Sequence, residues 1–447
     1  MKRILLLLFL LPSVLVFGQH RDQRDYITVQ MVPNHSDWVY ASGEDITITL
    51  SVVRHYCAMP DMEVQCTWGK ELRDSEKEWT VNTGKKGEVS LRLKGQKEPG
   101  FKTLTARVTY EGKQYTNRIN IAIEPDKIEP TTRMPEDFDA FWAKAIEDVR
   151  RVPLKPKMTL QPDLCTADYD VYEVQFQNHK PGCYLYGMMS VPISQKSKVE
   201  SRKLPVVIEW PGAGVKPHRG IQGVLVEKGC IVLEMGVNGI PVNREDDFYR
   251  DLKANGLSEY WTIYNDDRDK YYYKKIYAGT VKTVDFLCSL DFVDTTRIAV
   301  TGGSQGGALA IIHAALDKRV KCASAAYPAL CEIAGSYHGR VGGWPRIFRD
   351  PSEPALAQKV AVSEYYDVVN FARKLTCPIK LYIGYNDQTC CPTSTYAAYN
   401  AIGKGLSDKV QRDKVQSTKE LFTPLDCAHW QYPEHKKDRH LFVIGNW

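Results

Sequence analysis

The chain has 447 residues, of which 43% are hydrophobic, so it is long enough to bury more than one core. Its 59 basic and 54 acidic side chains leave a net charge of only +5, and no long basic run is present. A nucleic acid is therefore excluded as an expected partner, because nucleic-acid binding needs a concentrated basic surface.

The first residues have the pattern of a secretory signal peptide. Met1-Lys2-Arg3 supplies a basic start, residues 4–17 are mostly apolar, and Gly18 precedes a polar stretch. We predict a signal peptide over residues 1–18, cleaved after Gly18 or Gln19, and hence an exported protein that is periplasmic or extracellular. An uncleaved anchor is the alternative, although the apolar run is short for a bilayer span. No membrane span is expected after removal of the signal.

Residues 19–125 are predicted to form a small all-β domain. Hydrophobic and polar residues alternate over residues 45–53, 88–93, 101–110 and 115–123, and turn-forming residues separate these runs. Such a pattern is typical of an antiparallel β-sandwich, and we predict an immunoglobulin-like one. No chemistry is evident in it, so a spacer, a packing partner and a carbohydrate-contacting module all stay open.

Residues 126–447 are predicted to form an α/β domain. After a linker that ends at residue 132, residues 135–149 have helical periodicity, and residues 171–176 and 184–191 are predicted to pair antiparallel. Near-continuous apolar runs then predict buried parallel strands at 205–210, 230–235, 297–301, 321–326, 378–384 and 419–423. The prediction is a doubly wound, mostly parallel sheet with its site at the carboxyl ends of the strands.

The motif Gly302-Gly303-Ser304-Gln305-Gly306 joins one of these strands to a helix of small residues. It has the Gly-x-Ser-x-Gly form of the nucleophile elbow of α/β-hydrolases, in which a serine on a strained turn exposes its hydroxyl. Glycines are needed because side chains there would collide with the neighbouring strand or helix. Ser304 is therefore the predicted nucleophile.

A serine nucleophile needs a base and an acid that orients the base. Asp387 and His429 each follow their own predicted strand, and the order Ser304, Asp387, His429 is that of α/β-hydrolases. His338 and Asp426 are the loop residues that compete for these two roles, and His429 and Asp387 are preferred because of their positions after the strands.

An oxyanion hole needs two backbone donors. We predict the N–H of Gln305, directly after the nucleophile, and the N–H of Ala213 in the loop Pro211-Gly212-Ala213-Gly214. An ordinary turn is the alternative for that loop.

Twelve cysteines are spread along the chain without a Cys-x-x-Cys pair, so no zinc or other metal site is expected, and no cofactor is predicted. Export leaves disulfides open, with Cys57 and Cys66 as candidates to bridge two neighbouring strands. Cys230, Cys288 and Cys322 lie in apolar runs, where buried free thiols are ordinary.

The chain resembles the acetyl xylan esterase/cephalosporin-C deacetylase family, carbohydrate esterase family 7, from about residue 130 to residue 432. The elbow has the family's Gly-x-Ser-Gln-Gly form, and residues 384–400 resemble the family's segment around its acid. Residues 135–142 resemble its entry helix, and Tyr260-Trp261 with residues 271–273 resemble its segment before the elbow helix. The resemblance implies a serine esterase that removes acetyl groups from esterified sugars without a metal.

The chain also departs from the family pattern. Residues 237–241 stand where the family often has Arg-Gly-Gln, Pro211-Gly212-Ala213 replaces His-Gly-Tyr, and Trp430 replaces the glutamate after the catalytic histidine. We expect the triad chemistry to carry over more safely than the substrate range. A homo-oligomer stays open.

We predict an exported carbohydrate esterase that deacetylates xylan-derived or related oligosaccharides, or another small ester. Trp261, Trp344 and Trp430 are candidates for a wall that stacks on the sugar, with packing as the alternative role. A serine peptidase of the prolyl-oligopeptidase kind is a second hypothesis, although residues 19–125 are too few for the β-propeller that such enzymes usually carry. A catalytically idle glycan-binding protein is a third.

Overall fold

The computed structural model describes residues 27–193, 203–220 and 223–447. The predicted signal peptide, residues 1–18, lies outside these ranges. Within them, no helix combines the length and the apolar character that a bilayer crossing requires.

An N-terminal β-region, defined here as strands β1–β9, is built from two sheets. The strands are β1 (Thr28–Pro33), β2 (Val39–Tyr40), β3 (Asp45–Arg54), β4 (Cys57–Ala58), β5 (Glu63–Lys70), β6 (Ser75–Asn82), β7 (Glu88–Lys94), β8 (Gly100–Tyr110) and β9 (Lys113–Ile123). One sheet joins β1, β3, β4 and β7, and the other has the order β2-β9-β8-β5-β6. Alternating apolar side chains of both sheets, such as Ile48, Leu50, Leu104 and Ile121, form a core of their own.

The four strands predicted in this region correspond to β3, β7, β8 and β9, and an all-β region is what the structure contains. The immunoglobulin-like assignment stays a prediction. The proposed Cys57–Cys66 bridge is wrong, because all twelve cysteines carry free thiols. Cys57 is exposed on β4 of one sheet, whereas Cys66 is buried on β5 of the other.

The rest of the chain is organised around a nine-stranded mixed sheet of order β10-β11-β12-β14-β13-β15-β16-β17-β18. Its strands are β10 (Lys157–Leu160), β11 (Tyr169–Gln177), β12 (Tyr184–Pro192), β13 (Leu204–Trp210), β14 (Ile231–Met235), β15 (Val293–Gly303), β16 (Val320–Ala326), β17 (Ile379–Tyr382) and β18 (Lys419–Phe422). The strands up to β12 pair antiparallel, as does β12 with β14, and every later pair is parallel. The six predicted parallel strands are confirmed.

Helices cover both faces of this sheet. They are α1 (Phe138–Arg150), α2 (Val224–Glu227), α3 (Asp246–Ala254), α4 (Tyr272–Cys288), α5 (Gln305–Leu316), α6 (Leu356–Glu364), α7 (Val368–Arg373), α8 (Pro392–Ala401), α9 (Lys409–Thr418) and α10 (Pro433–Gly445). One face packs α1, α4, α5 and α7 into the large core, and the other packs α2 and α10 into a smaller one. This two-sided burial explains why the parallel strands are apolar throughout.

The linker between the β-region and α1 is hydrogen-bonded to residues at the helices α7 and α8. Asn400 Nδ2 on α8 donates to the carbonyls of Pro125 and Ile128 at 2.9 and 3.0 Å. Thr132 Oγ1 donates to Asp367 at 3.1 Å. Buried hydrogen bonds of this kind hold a connection in one conformation, since breaking them leaves polar groups without partners.

Candidate active site

Ser304 lies on a strained turn between β15 and α5. Its φ of 59° and ψ of −124° are in a region that side-chain-bearing residues rarely adopt. Glycines make this turn possible. A Cβ atom at Gly306 would lie 2.0 Å from the Trp210 carbonyl oxygen, and one at Gly302 would lie 2.4 Å from the Gly306 carbonyl carbon. The close approach of β13, β15 and α5 thus presents the serine at the carboxyl end of the sheet.

The three residues predicted as a triad form one hydrogen-bonded line. His429 Nε2 lies 3.0 Å from Ser304 Oγ, and His429 Nδ1 lies 2.8 Å from Asp387 Oδ2. Asp387 is fully buried, while the His429 side chain is 29% exposed. The line therefore runs from a buried carboxylate to a hydroxyl that a substrate can reach, which is the arrangement that activates a serine.

The Asp387 carboxylate is held by its own loop. Its Oδ1 atom accepts the peptide N–H groups of Thr389 at 2.8 Å and Cys390 at 2.9 Å. The backbone before Asp387 packs directly against the backbone before His429. There is no room for a side chain between them, because a Cβ atom at Gly384 would lie 2.5 Å from the Cys427 carbonyl oxygen. Asn386 N–H donates to that same carbonyl at 3.0 Å. This backbone contact sets the spacing between Asp387 and His429.

The two predicted oxyanion elements come from different parts of the chain and lie near Ser304. Gln305 is the first residue of α5, where peptide N–H groups lack partners within the helix. The loop that contains Ala213 lies beside the serine, because a Cβ atom at Gly212 would be 3.8 Å from Ser304 Cβ. The structure thus brings both predicted elements to Ser304.

Tyr260 links these two elements, and the sequence reasoning did not assign it this contact. Its hydroxyl donates to Gln305 Oε1 at 2.6 Å and accepts the Gly214 N–H at 3.4 Å. Tyr273 donates to the same Gln305 oxygen at 2.8 Å. Burial raises the pKa of Tyr260 to about 12, so the phenol keeps its proton and remains a donor. Its only sequence signal was the segment Tyr260-Trp261.

Tyr327 and Cys390 also lie at the site. The Tyr327 ring is 4.7 Å from the His429 ring and would contact a Cβ atom at Gly303. The Cys390 thiol lies near the Ser304 hydroxyl, and burial raises the pKa of this thiol well above its usual value. Tyr327 directly follows β16, so the rule that sites form beyond strand ends would have found it.

The competing residues His338 and Asp426 lie elsewhere, as does a further histidine, His313. His313, on α5, is buried and accepts the Trp210 Nε1–H at 3.2 Å, and burial lowers its pKa to about 4. His338 is exposed and contacts Tyr337. Asp426 accepts the Tyr432 hydroxyl at 2.6 Å. None of these contacts involves Ser304.

The three candidate tryptophans separate into a pair and a single residue. The rings of Trp261 and Trp344 are 5.1 Å apart and tilted at 59°. Trp430 follows His429, is 42% exposed and contacts Tyr432 at 4.6 Å. The structure therefore groups Trp261 with Trp344 and places Trp430 next to His429 in the chain.

Comparisons with known proteins agree with this fold. The family model described as acetyl xylan esterase (AXE1) matches residues 123–431. Acetyl esterase Axe7A of Xylanibacter ruminicola is 33% identical over 456 residues, which cover 99% of this chain and 96% of that protein.

Two solved structures share the hydrolase fold. The acetyl xylan esterase from Paenibacillus sp. R4 is 27% identical with a TM-score of 0.59, and the match covers 72% of this chain and 99% of that one. Acetyl xylan esterase 1 from Thermoanaerobacterium sp. JW/SL YS485 has a TM-score of 0.57 at 23% identity, with coverage of 72% and 98%. Together with the family match, these findings show that the chain is a carboxylic ester hydrolase that belongs to the acetyl xylan esterase family.

Proposed function

We propose that this protein is an exported serine esterase that removes acetyl groups from acetylated xylan-derived or related oligosaccharides. The observation that carries the proposal is the hydrogen-bonded line from Asp387 through His429 to Ser304. The family match and the similarity to an acetyl esterase along nearly the whole chain support the acetyl group as the one removed.

In the first half of the proposed reaction, Ser304 Oγ attacks the acetyl carbonyl carbon while His429 Nε2 takes the serine proton. Asp387 holds the Nδ1–H tautomer and stabilises the imidazolium that forms. The negative oxygen of the tetrahedral intermediate accepts the N–H groups of Gln305 and Ala213. The carbon–oxygen bond to the sugar then breaks, His429 returns the proton to the sugar hydroxyl, and an acetyl-serine remains.

In the second half, a water molecule attacks the acetyl-serine. His429 takes a proton from the water, a second tetrahedral intermediate forms at the same two N–H groups, and the bond to Ser304 breaks. The proton returns to Ser304 Oγ, and acetate leaves.

Sugar binding is proposed for the tryptophans that flank the site. Trp261 and Trp344 form a contacting aromatic pair, and the partly exposed Trp430 follows the base. Aromatic faces suit the apolar faces of sugar rings, so we expect Trp344→Ala to raise KM for acetylated oligosaccharides more than for a small aryl acetate.

Export is proposed from the composition of residues 1–19, which have the basic start, apolar run and small residue of a signal peptide. Sequencing the N-terminus of the protein recovered outside the cytoplasm should show that it begins after Gly18 or Gln19. A chain that stays in the cytoplasm and keeps Met1 contradicts export and leaves the esterase proposal unaffected.

The activity is tested by acetate release from a panel of acetylated oligosaccharides. Ser304→Ala should lower the rate by at least about 10³-fold, because the remaining groups cannot form the acyl-enzyme. Ser289→Ala is the matched control, since that hydroxyl only donates to the Phe286 carbonyl at the end of α4. A Ser304→Ala variant with the wild-type rate refutes the mechanism, and turnover of peptides but not of the panel refutes the substrate.

A further inference from the structure

Residues 126–447, which contain the nine-stranded sheet, are called here the hydrolase part. The loop that carries Asp387 is contacted by residues outside this part. Residues 384–391, called here the acid loop, connect β17 to α8. Asn120, near the end of β9 in the N-terminal β-region, is only 2% exposed and reaches this loop. Its Nδ2 atom donates to the Tyr385 carbonyl at 2.7 Å, and its peptide N–H donates to Asn386 Oδ1 at 2.9 Å. These are the two residues immediately before Asp387.

Asn120 is itself fixed in orientation. Its Oδ1 atom accepts the Thr103 hydroxyl at 2.7 Å, across the β8–β9 pairing. Because the amide oxygen is engaged by a donor, the amide nitrogen must face the Tyr385 carbonyl. The side chain is therefore a rigid link from the sheet of the β-region to the backbone of the acid loop.

Glu71 provides a second polar contact from the same region. It is 1% exposed, and its Oε2 atom accepts the Thr393 N–H in the first turn of α8 at 3.3 Å. Burial raises the pKa of Glu71 to about 8, and the hydrogen bond from Thr393 and the charge of Arg346 act in the opposite direction. The first turn of α8, which follows the acid loop, is thus also hydrogen-bonded to the β-region.

Aromatic side chains also pack between the β-region and the acid loop. Phe101 on β8 is 2% exposed and belongs to the core of the hydrolase part. Its ring meets the Tyr385 ring at 5.1 Å and 82°, and the Tyr396 ring on α8 at 5.6 Å. Edge-to-face packing of buried aromatic rings stabilises one relative placement of the two elements.

Side chains from the hydrolase side also contact the acid loop, including His429 at Asp387. Arg346 donates to the carbonyls of Gln388 and Thr389, which follow Asp387. Before Asp387, Asn120 donates hydrogen bonds to Tyr385 and Asn386. On the hydrolase side, the Tyr385 hydroxyl lies 3.3 Å from the Tyr396 hydroxyl, and Asn386 donates to the carbonyls of Cys427 and Leu425. Without the Asn120 amide the buried Tyr385 carbonyl loses this donor, so the loop would shift to find another one.

We propose that Asn120 is a positioning residue for Asp387, so that the N-terminal β-region completes the active site of the hydrolase part. The inference rests on the proposed function, because it assigns Asp387 the role of the acid. Asn120 acts through the acid loop and not on the substrate, so its loss should lower kcat and leave KM nearly unchanged. It also gives the added β-region a role other than that of a spacer.

The test uses the full chain and hydrolysis of para-nitrophenyl acetate, which needs the acid and base but no sugar binding. Asn120→Ala and the similarly sized Asn120→Leu both remove the side-chain donor to Tyr385. Each should lower kcat by at least about tenfold with KM within about twofold, because a misplacement of about 1 Å in a catalytic group costs up to about 100-fold. The rate at which a fluorophosphonate labels Ser304 should fall in parallel.

Asn117→Ala is the matched control. Asn117 lies on the same strand and its Nδ2 atom donates to the Val29 carbonyl at 2.8 Å, which is a comparable hydrogen bond inside the β-region. It should leave kcat within about twofold, because it does not touch the acid loop. An equal loss in Asn117→Ala overturns the proposal, since the effect would then come from general loosening of the β-region.

The Asn120 variants test the positioning role, and Ser304→Ala tests the esterase mechanism. If Ser304→Ala is inactive and either folded Asn120 variant keeps the wild-type kcat, the positioning role is refuted and the esterase mechanism stands. If Ser304→Ala keeps the wild-type rate, both are refuted. Thermal unfolding of each variant establishes which are folded, and Asn120→Leu decides the question if Asn120→Ala does not fold.

Discussion

Asp387→Asn should abolish the function of His429 as a base while leaving the fold intact. In the native structure Asp387 Oδ1 faces the N–H groups of Thr389 and Cys390, and Oδ2 faces His429 Nδ1. The two N–H groups require an oxygen, so the asparagine must keep its carbonyl oxygen there. Its amide NH₂ then points at His429 Nδ1, which must become the unprotonated nitrogen.

The proton therefore moves to Nε2, the atom that lies 3.0 Å from Ser304 Oγ. An N–H at that position cannot accept the serine proton. We expect kcat to fall by about 10⁴-fold, equivalent to about 5 kcal/mol, as for the same change in other serine hydrolases. KM should change little, since the substrate does not contact the buried Asp387.

The assay is kcat on para-nitrophenyl acetate and on an acetylated oligosaccharide at neutral pH, with thermal unfolding measured on the same samples. Asp426→Asn is the matched control, because Asp426 is a loop carboxylate near His429 in sequence whose oxygen accepts the Tyr432 hydroxyl. It should retain most of the activity. The reasoning is refuted if Asp387→Asn stays within about tenfold of the wild type or if Asp426→Asn loses as much activity.

Three further predictions follow from contacts at and near the site. Gly306→Ala places a Cβ atom 2.0 Å from the Trp210 carbonyl oxygen, so α5 must move and kcat should fall by about 100-fold, with Gly256→Ala, whose Cβ meets open space, as the control. Tyr260→Phe removes one of the two donors to Gln305, and kcat should fall by roughly tenfold while thermal stability changes little. Glu71→Gln should have a higher free energy of unfolding than the wild type, and this difference should widen as the pH rises from about 4.5 to about 8. In that range the folded wild type keeps a proton on Glu71, whereas the unfolded chain loses it. The difference should grow by about 1.4 kcal/mol per pH unit in denaturant titrations, and a difference that is constant with pH contradicts this account.

Much of the hydrolase part could be predicted from the sequence because its signals are local. Strands with both faces buried appear as short apolar runs, and the elbow needs its glycines within five consecutive positions. The carboxyl ends of parallel strands share one edge of the sheet. Ser304, Asp387 and His429 each follow a strand of their own, and that was enough to place these residues near each other.

The β-region was predicted less completely. Strands β1, β2, β4, β5 and β6 were missed. For β6 the reason is that its side chains are exposed or half-buried on both faces. An edge strand of this kind has no hydrophobic alternation strong enough to distinguish it from a loop. The disulfide suggested for Cys57 and Cys66 failed for a related reason, because proximity in the chain does not determine which sheet a strand joins.

The sequence by itself determined the strand–helix alternation, the strained serine turn and the identities of the three residues in the hydrogen-bonded line. The tertiary structure alone decided that Tyr260 joins the two oxyanion elements and that Asn120 reaches the acid loop across 265 positions in sequence. Local patterns reflect which face of an element is buried, whereas contacts between distant segments depend on how whole sheets and helices pack. The support of the acid loop by the β-region belongs to the second kind, since only packing brings β9 to the end of β17.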